Sequence, residues 1–187
     1  GKFKEAVASL ERAITIKPDN AVAINNLGIA LMGLGKTDEA IASYQRALLV
    51  RPDYAEAHNN LGNAFKGMGK LDQAIISYER ALALKPDYAD AHNNLGNALY
   101  ELGRLHDARL SHERCLAIKP DYADAHSNLL MSLCHLEGTQ PAEVFAEHLR
   151  FAERFEAPLI SKWPIHTNLR EPEKRLRVGF VSGDLRN

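Results

Sequence analysis

Apolar positions recur along this chain in short bursts at helical spacing. Between residues 55 and 88 one burst runs Ala57, Leu61, Ala64, Phe65 and Met68, and a second runs Leu71, Ala74, Ile75, Tyr78, Ala81 and Leu82. Each burst predicts one amphipathic helix, so the stretch predicts a helical hairpin. Gly69 falls between the two bursts, as Gly35 and Gly103 do in the neighbouring stretches, where a residue tolerant of left-handed backbone ends a helix. Pro18, Pro52, Pro86 and Pro120 end the second helices, because proline donates no backbone hydrogen bond and restricts the residue before it. The sequences Asp53-x-x-Glu56, Asp87-x-x-Asp90 and Asp121-x-x-Asp124 predict the next start, an N-cap followed by an acidic first turn.

The four prolines stand 34 residues apart inside matching Lys/Arg-Pro-Asp triplets, and residues 55 to 88 and 89 to 122 agree at 21 of 34 positions. The register gives a half unit at 1–20, full units at 21–54, 55–88 and 89–122, and a divergent capping unit at 123–157. Small residues at Gly28, Gly62 and Gly96, and at Ala40, Ala74 and Ala108, let paired helices approach closely. This order of Leu-Gly, Gly, Ala, Tyr, Ala and Pro at fixed offsets resembles the tetratricopeptide (TPR) family. The resemblance implies an all-α fold, a right-handed solenoid of nine helices with a concave binding surface, since such hairpins bury their apolar faces only against neighbours.

Charge and composition narrow the partners. The 187 residues carry 23 basic and 24 acidic side chains, so a nucleic-acid backbone finds no electrostatic footprint. No apolar run approaches the ~18 residues of a membrane span, and Gly1-Lys2-Phe3-Lys4 has neither an initiator Met nor a signal-peptide pattern. The expectation is a cytoplasmic protein without a membrane partner, whose natural N-terminus lies upstream. Cys115 and Cys134 lack metal-ligand spacing and are too few for a disulfide framework, which fits a reducing compartment.

On the first helix of each unit, the stripe opposite the apolar face reads Val22, Asn26, Ile29, Gly33; then Glu56, Asn60, Asn63, Gly67; then Asp90, Asn94, Asn97, Glu101; and last Asp124, Asn128, Met131, His135. An asparagine therefore repeats at 26, 60, 94 and 128, and a carboxylate at 56, 90 and 124. A carboxamide carries donors and an acceptor, so a row of them can pair with the backbone of an extended peptide whatever its side chains are. The competing reading has the asparagines tying adjacent helices together and the carboxylates favouring helix N-termini. Both roles can coexist. His58, His92 and His126 repeat too, but units stacked roughly 10 Å apart cannot bring them onto one ion whose ligands sit at ~2 Å, so they read as packed, half-buried side chains. Cys115 stands where other units have Ala47 and Ala81 and reads as a small core residue. The repeats offer no nucleophile, general base or phosphate loop.

After Asn128 the pattern decays. Leu130 replaces the glycine, and Pro141 opens an amphipathic helix to Phe155 with Phe145, Leu149, Ala152 and Phe155 as its apolar stripe. Residues 158–174 hold three prolines and Trp163 with no sustained period, which reads as a linker. Arg175 to Ser182 then alternates like a strand. Such a strand, without a sheet of its own, stays mobile, lies against the apolar end of the solenoid, or pairs with the same segment of another copy, so self-association is among the expected partners.

Residues 175–187, Arg-Leu-Arg-Val-Gly-Phe-Val-Ser-Gly-Asp-Leu-Arg-Asn, resemble the first strand and loop of the catalytic domain in the O-linked N-acetylglucosamine (O-GlcNAc) transferase family, which includes SPINDLY-like proteins. Glu147 to Arg154 resembles the helix that bacterial members place before that strand. The resemblance implies a truncated α/β domain after the repeats, UDP-N-acetylglucosamine as donor for the full-length parent, and client polypeptides held by a groove ladder matching Asn26, Asn60, Asn94 and Asn128. The family's acidic groove residues match Glu56, Asp90 and Asp124, while Val22 departs from them. The alternative is a TPR adaptor or co-chaperone-like scaffold with no attached enzyme, whose groove clamps a terminal carboxylate with Lys or Arg. The stripe here is amide and carboxylate instead.

Overall fold

The computed structural model describes residues 1–162. Nine α-helices lie among them: α1 (Lys2–Ile16), α2 (Ala21–Met32), α3 (Thr37–Val50), α4 (Ala55–Gly67), α5 (Leu71–Leu84), α6 (Ala89–Glu101), α7 (Leu105–Ile118), α8 (Ala123–His135) and α9 (Pro141–Phe151). A π-helical turn, Ala152–Glu156, and a 3-10 stretch, Ala157–Lys162, follow. The expected strand at 175–187 and most of the linker lie outside the described residues.

Each unit is a hairpin, α2–α3, α4–α5 and α6–α7, stacked on the next to form the all-α solenoid. The first helices end at Gly35, Gly69 and Gly103, all at positive φ of 72 to 79°. There the glycine N–H bonds three residues back and the following N–H bonds five back, as in Lys70 N to Phe65 O at 3.0 Å, which satisfies carbonyls the helix leaves free. Within the hairpins the Tyr44 ring lies on Gly28, Tyr78 on Gly62 and His112 on Gly96, with no room left for a Cβ. Ala40, Ala74 and Ala108 are fully buried at the same crossings. Leu61 and Tyr78 are buried as expected, Leu99 is buried too, and Phe65 and Leu95 are half-buried against the same packing.

Two expectations need correction. The N-caps of α4, α6 and α8 are Tyr54, Tyr88 and Tyr122, without a side-chain cap bond, rather than the aspartates before them. Each tyrosine ring instead lies beneath the cation three residues earlier, Arg51, Lys85 or Lys119, at 3.4, 4.8 and 4.5 Å. Among the described residues a true side-chain cap is found at α2, preceded by Asn20 where α4, α6 and α8 have tyrosine, Ala23 N to Asn20 Oδ1 at 3.1 Å. In α9 the expected apolar stripe does not face inward as a whole. Phe145 and Leu149 are exposed, whereas Glu147 is buried and the aromatic packing comes from Phe151 and Phe155 against His126.

Candidate functional site

The stripe on α2, α4, α6 and α8 reaches solvent along its length. Val22, Asn26, Ile29, Asn63, Asp90, Asp124 and Met131 are exposed, and Glu56, Asn60, Asn94, Asn97 and Asn128 are half-buried. The carboxylates sit in the first turns, where the helix dipole favours them. Glu56 also lies 3.6 Å from Lys85. Asp90 stands beside the Tyr122 hydroxyl, which burial first and Asp90 second push up to about 12.

The asparagine row has an inner partner that periodicity alone did not single out. Asn60 Nδ2 donates to Asn25 Oδ1 (3.0 Å), Asn94 Nδ2 to Asn59 Oδ1 (3.0 Å) and Asn128 Nδ2 to Asn93 Oδ1 (3.1 Å). Asn25, Asn59 and Asn93 are buried, so each outer amide is held by a buried amide one unit back. The signal was the Asn-Asn dipeptide, whose first member points into the stack and whose second points out. Asn26 is exposed and makes no such bond among the described residues. Each engaged outer amide has its carbonyl and its second N–H left over from that bond, and its orientation is set before any ligand arrives.

A second amide position is fixed by the partner helix of its own hairpin. The Tyr78 hydroxyl donates to Asn63 Oδ1 at 2.8 Å. His112, the equivalent of Tyr78, places Nε2 3.2 Å from Asn97 Oδ1 and Nδ1 3.3 Å from the Ser132 hydroxyl. Burial drives the His112 pKa down to about 4, so the ring is neutral and links α6, α7 and α8.

The repeated histidines do not converge. His58 and His92 turn Nε2 back to the carbonyls of Pro52 and Pro86, at 3.0 and 2.9 Å, pinning each helix to the turn before it. His126 departs from this and faces Glu147. Burial raises the Cys115 thiol to about 11, in keeping with a packed core position. Among the described residues no group of three or more His, Cys, Asp or Glu is arranged to hold a metal, and no helix is long and apolar enough to cross a membrane.

Family models agree with this architecture. One described as TPR repeat matches residues 1–35, 30–69 and 67–103, and one described as tetratricopeptide repeat matches residues 89–122. Among solved structures the chain is similar to the crystal structure of MamA, with a TM-score of 0.77 and 26% identity, covering 87% of this chain and 93% of that one. It is similar to the first TPR of Spaghetti (RPAP3) bound to an HSP90 peptide, with a TM-score of 0.59 and 27% identity over 60% of this chain and 89% of that one. A Thermobaculum terrenum O-GlcNAc transferase mutant matches at a TM-score of 0.71 and 32% identity, over 89% of this chain but 32% of that one. No curated protein matches the chain.

Proposed function

The chain belongs to the tetratricopeptide-repeat family and is a scaffold for protein interaction, and on that premise we propose that it recruits extended polypeptide substrates for an O-GlcNAc-transferase-like enzyme. The observation that carries the recruiting role is the row of outer amides at 60, 94 and 128, each held in one orientation by a buried amide. A peptide backbone offers alternating N–H and C=O groups, and a pre-oriented amide can meet both without ordering itself first. The similarity to the Thermobaculum transferase supports the link to sugar transfer, as does the motif at 175–187. In this reading UDP-N-acetylglucosamine is the donor of the full-length parent, bound beyond the repeats, and residues 1–157 supply recruitment.

Asn26→Ala tests the groove without disturbing the stack, because Asn26 holds no neighbouring unit. Anisotropy titration with a set of unrelated extended peptides should show affinity falling about two- to tenfold for all of them, the worth of one neutral hydrogen bond. Affinity unchanged by the substitution for every peptide would refute Asn26 as a contact and count against the amide row. For the transferase role, a longer chain that fails to bind a UDP-sugar would count against it.

A further inference from the structure

One row of the exposed face changes character along its length. Ile29 on α2, Asn63 on α4, Asn97 on α6 and Met131 on α8 occupy the same position in successive units. The two end members are apolar and open to solvent, Ile29 at 45% and Met131 at 52% exposure. The two central members are amides, each with its carbonyl turned toward the partner helix, to the Tyr78 hydroxyl and to His112 Nε2. Holding the carbonyl inward turns the NH2 group outward, so the centre of the row offers donors and its ends offer hydrocarbon.

We propose that this row selects extended polypeptide segments with an apolar side chain near each end and hydrogen-bond acceptors, the backbone carbonyls among them, at the centre. The inference rests on the recruitment reading and adds a preference to it, since the outer amides at 60, 94 and 128 alone are indifferent to side chains. Lysine or arginine clamps are not part of this row, so a free terminal carboxylate is not what it fits. The length follows from geometry: three steps of roughly 10 Å separate Ile29 from Met131, and an extended chain rising ~3.3 Å per residue covers that in about nine residues. An apolar side chain meeting Ile29 or Met131 gains by leaving water, whereas one placed over Asn63 or Asn97 strips water from donors and returns nothing.

The test uses two capped synthetic peptides of about ten residues and identical composition, one with leucines near both ends and Ser/Thr at the centre, the other with the leucines at the centre. The first should bind about tenfold more tightly, a difference that burial of two aliphatic side chains readily supplies. Ile29→Asn combined with Met131→Asn should abolish the preference, and both positions are exposed enough for the fold to tolerate the change. Equal binding of the two peptides to the unaltered protein, or a preference that survives the double substitution, would overturn the proposal while leaving backbone recruitment standing. Failure of both peptides and of the wider peptide set to bind would overturn recruitment itself.

Discussion

His126 Nε2 on α8 lies 2.6 Å from Glu147 Oε1 on α9, where the two preceding units turn the equivalent histidine back onto their own proline carbonyl. The approach is oblique to the ring N–H, so the contact is not an aligned hydrogen bond and is held in place by its surroundings. Arg150 contacts the second oxygen of Glu147, and Phe151 and Phe155 set their edges against the imidazole. Both partners are buried, so removing one strands the other. Glu147→Leu should cost about 1–2 kcal/mol, the scale of a lost buried polar contact, and loosen α9 first, visible as faster hydrogen exchange at 141–151 with α4 to α7 unchanged. Exchange unchanged in α9 would mean that the aromatic contacts alone hold it.

Two glycines five residues apart in α4 should respond with opposite sign. A Cβ at Gly62 would meet the Tyr78 ring at 2.5 Å, so Gly62→Ala should lower stability by roughly 1–3 kcal/mol. Gly67 has open space around it, and Gly67→Ala should raise stability by about 0.5 kcal/mol through the unfolded chain. Urea titration of the two variants measures both.

His112 makes stability depend on pH. The unfolded chain takes up its proton near 6.5 and the folded chain only near about 4, so between these values the unfolded state binds more protons. The contribution is therefore complete above pH 6.5 and is lost as pH falls toward 4, by roughly 3 kcal/mol in all. His112→Tyr restores the residue that Tyr78 represents one unit earlier and should flatten thermal stability over this window relative to the parent. A parallel loss in both proteins would assign the acid sensitivity elsewhere.

The inner amides should matter to the fold as the outer ones matter to ligands. Asn59 accepts from Asn94 and is 4% exposed, so Asn59→Leu removes a buried acceptor and frees an outer donor. A loss of about 1–2 kcal/mol is expected, together with weaker peptide binding from a less ordered Asn94. Asn60→Ala strands the buried Asn25 carbonyl as well, so its binding defect should come with a stability loss that Asn26→Ala does not share.

Periodicity made the hairpins, their turns and the tight helix crossings legible, because each depends on a local residue type: glycine at positive φ, alanine at a crossing, proline after a helix. The outward row was legible for the same reason. What escaped was anything requiring a second helix. Nothing in the sequence around Glu147 distinguishes it from a surface glutamate. Its burial depends on His126, twenty-one positions away, and Phe145 and Leu149 looked like core only because helical spacing cannot say which face meets the stack. The tyrosines at 54, 88 and 122 likewise displaced the aspartates as helix starts by a cation lying over each ring, a contact no capping rule contains.

The bonds from Asn60 to Asn25, Asn94 to Asn59 and Asn128 to Asn93 all span the same 35 positions. A seam with identical halves is interchangeable. Excising residues 55–88 would bring Asn94 to Asn25 in the geometry Asn60 now holds, and duplicating that unit would add a rung without remodelling its neighbours. Recombination within a gene of this kind can thus lengthen or shorten the reach of the scaffold in whole steps, trying out longer or shorter clients while the amide rungs keep their geometry.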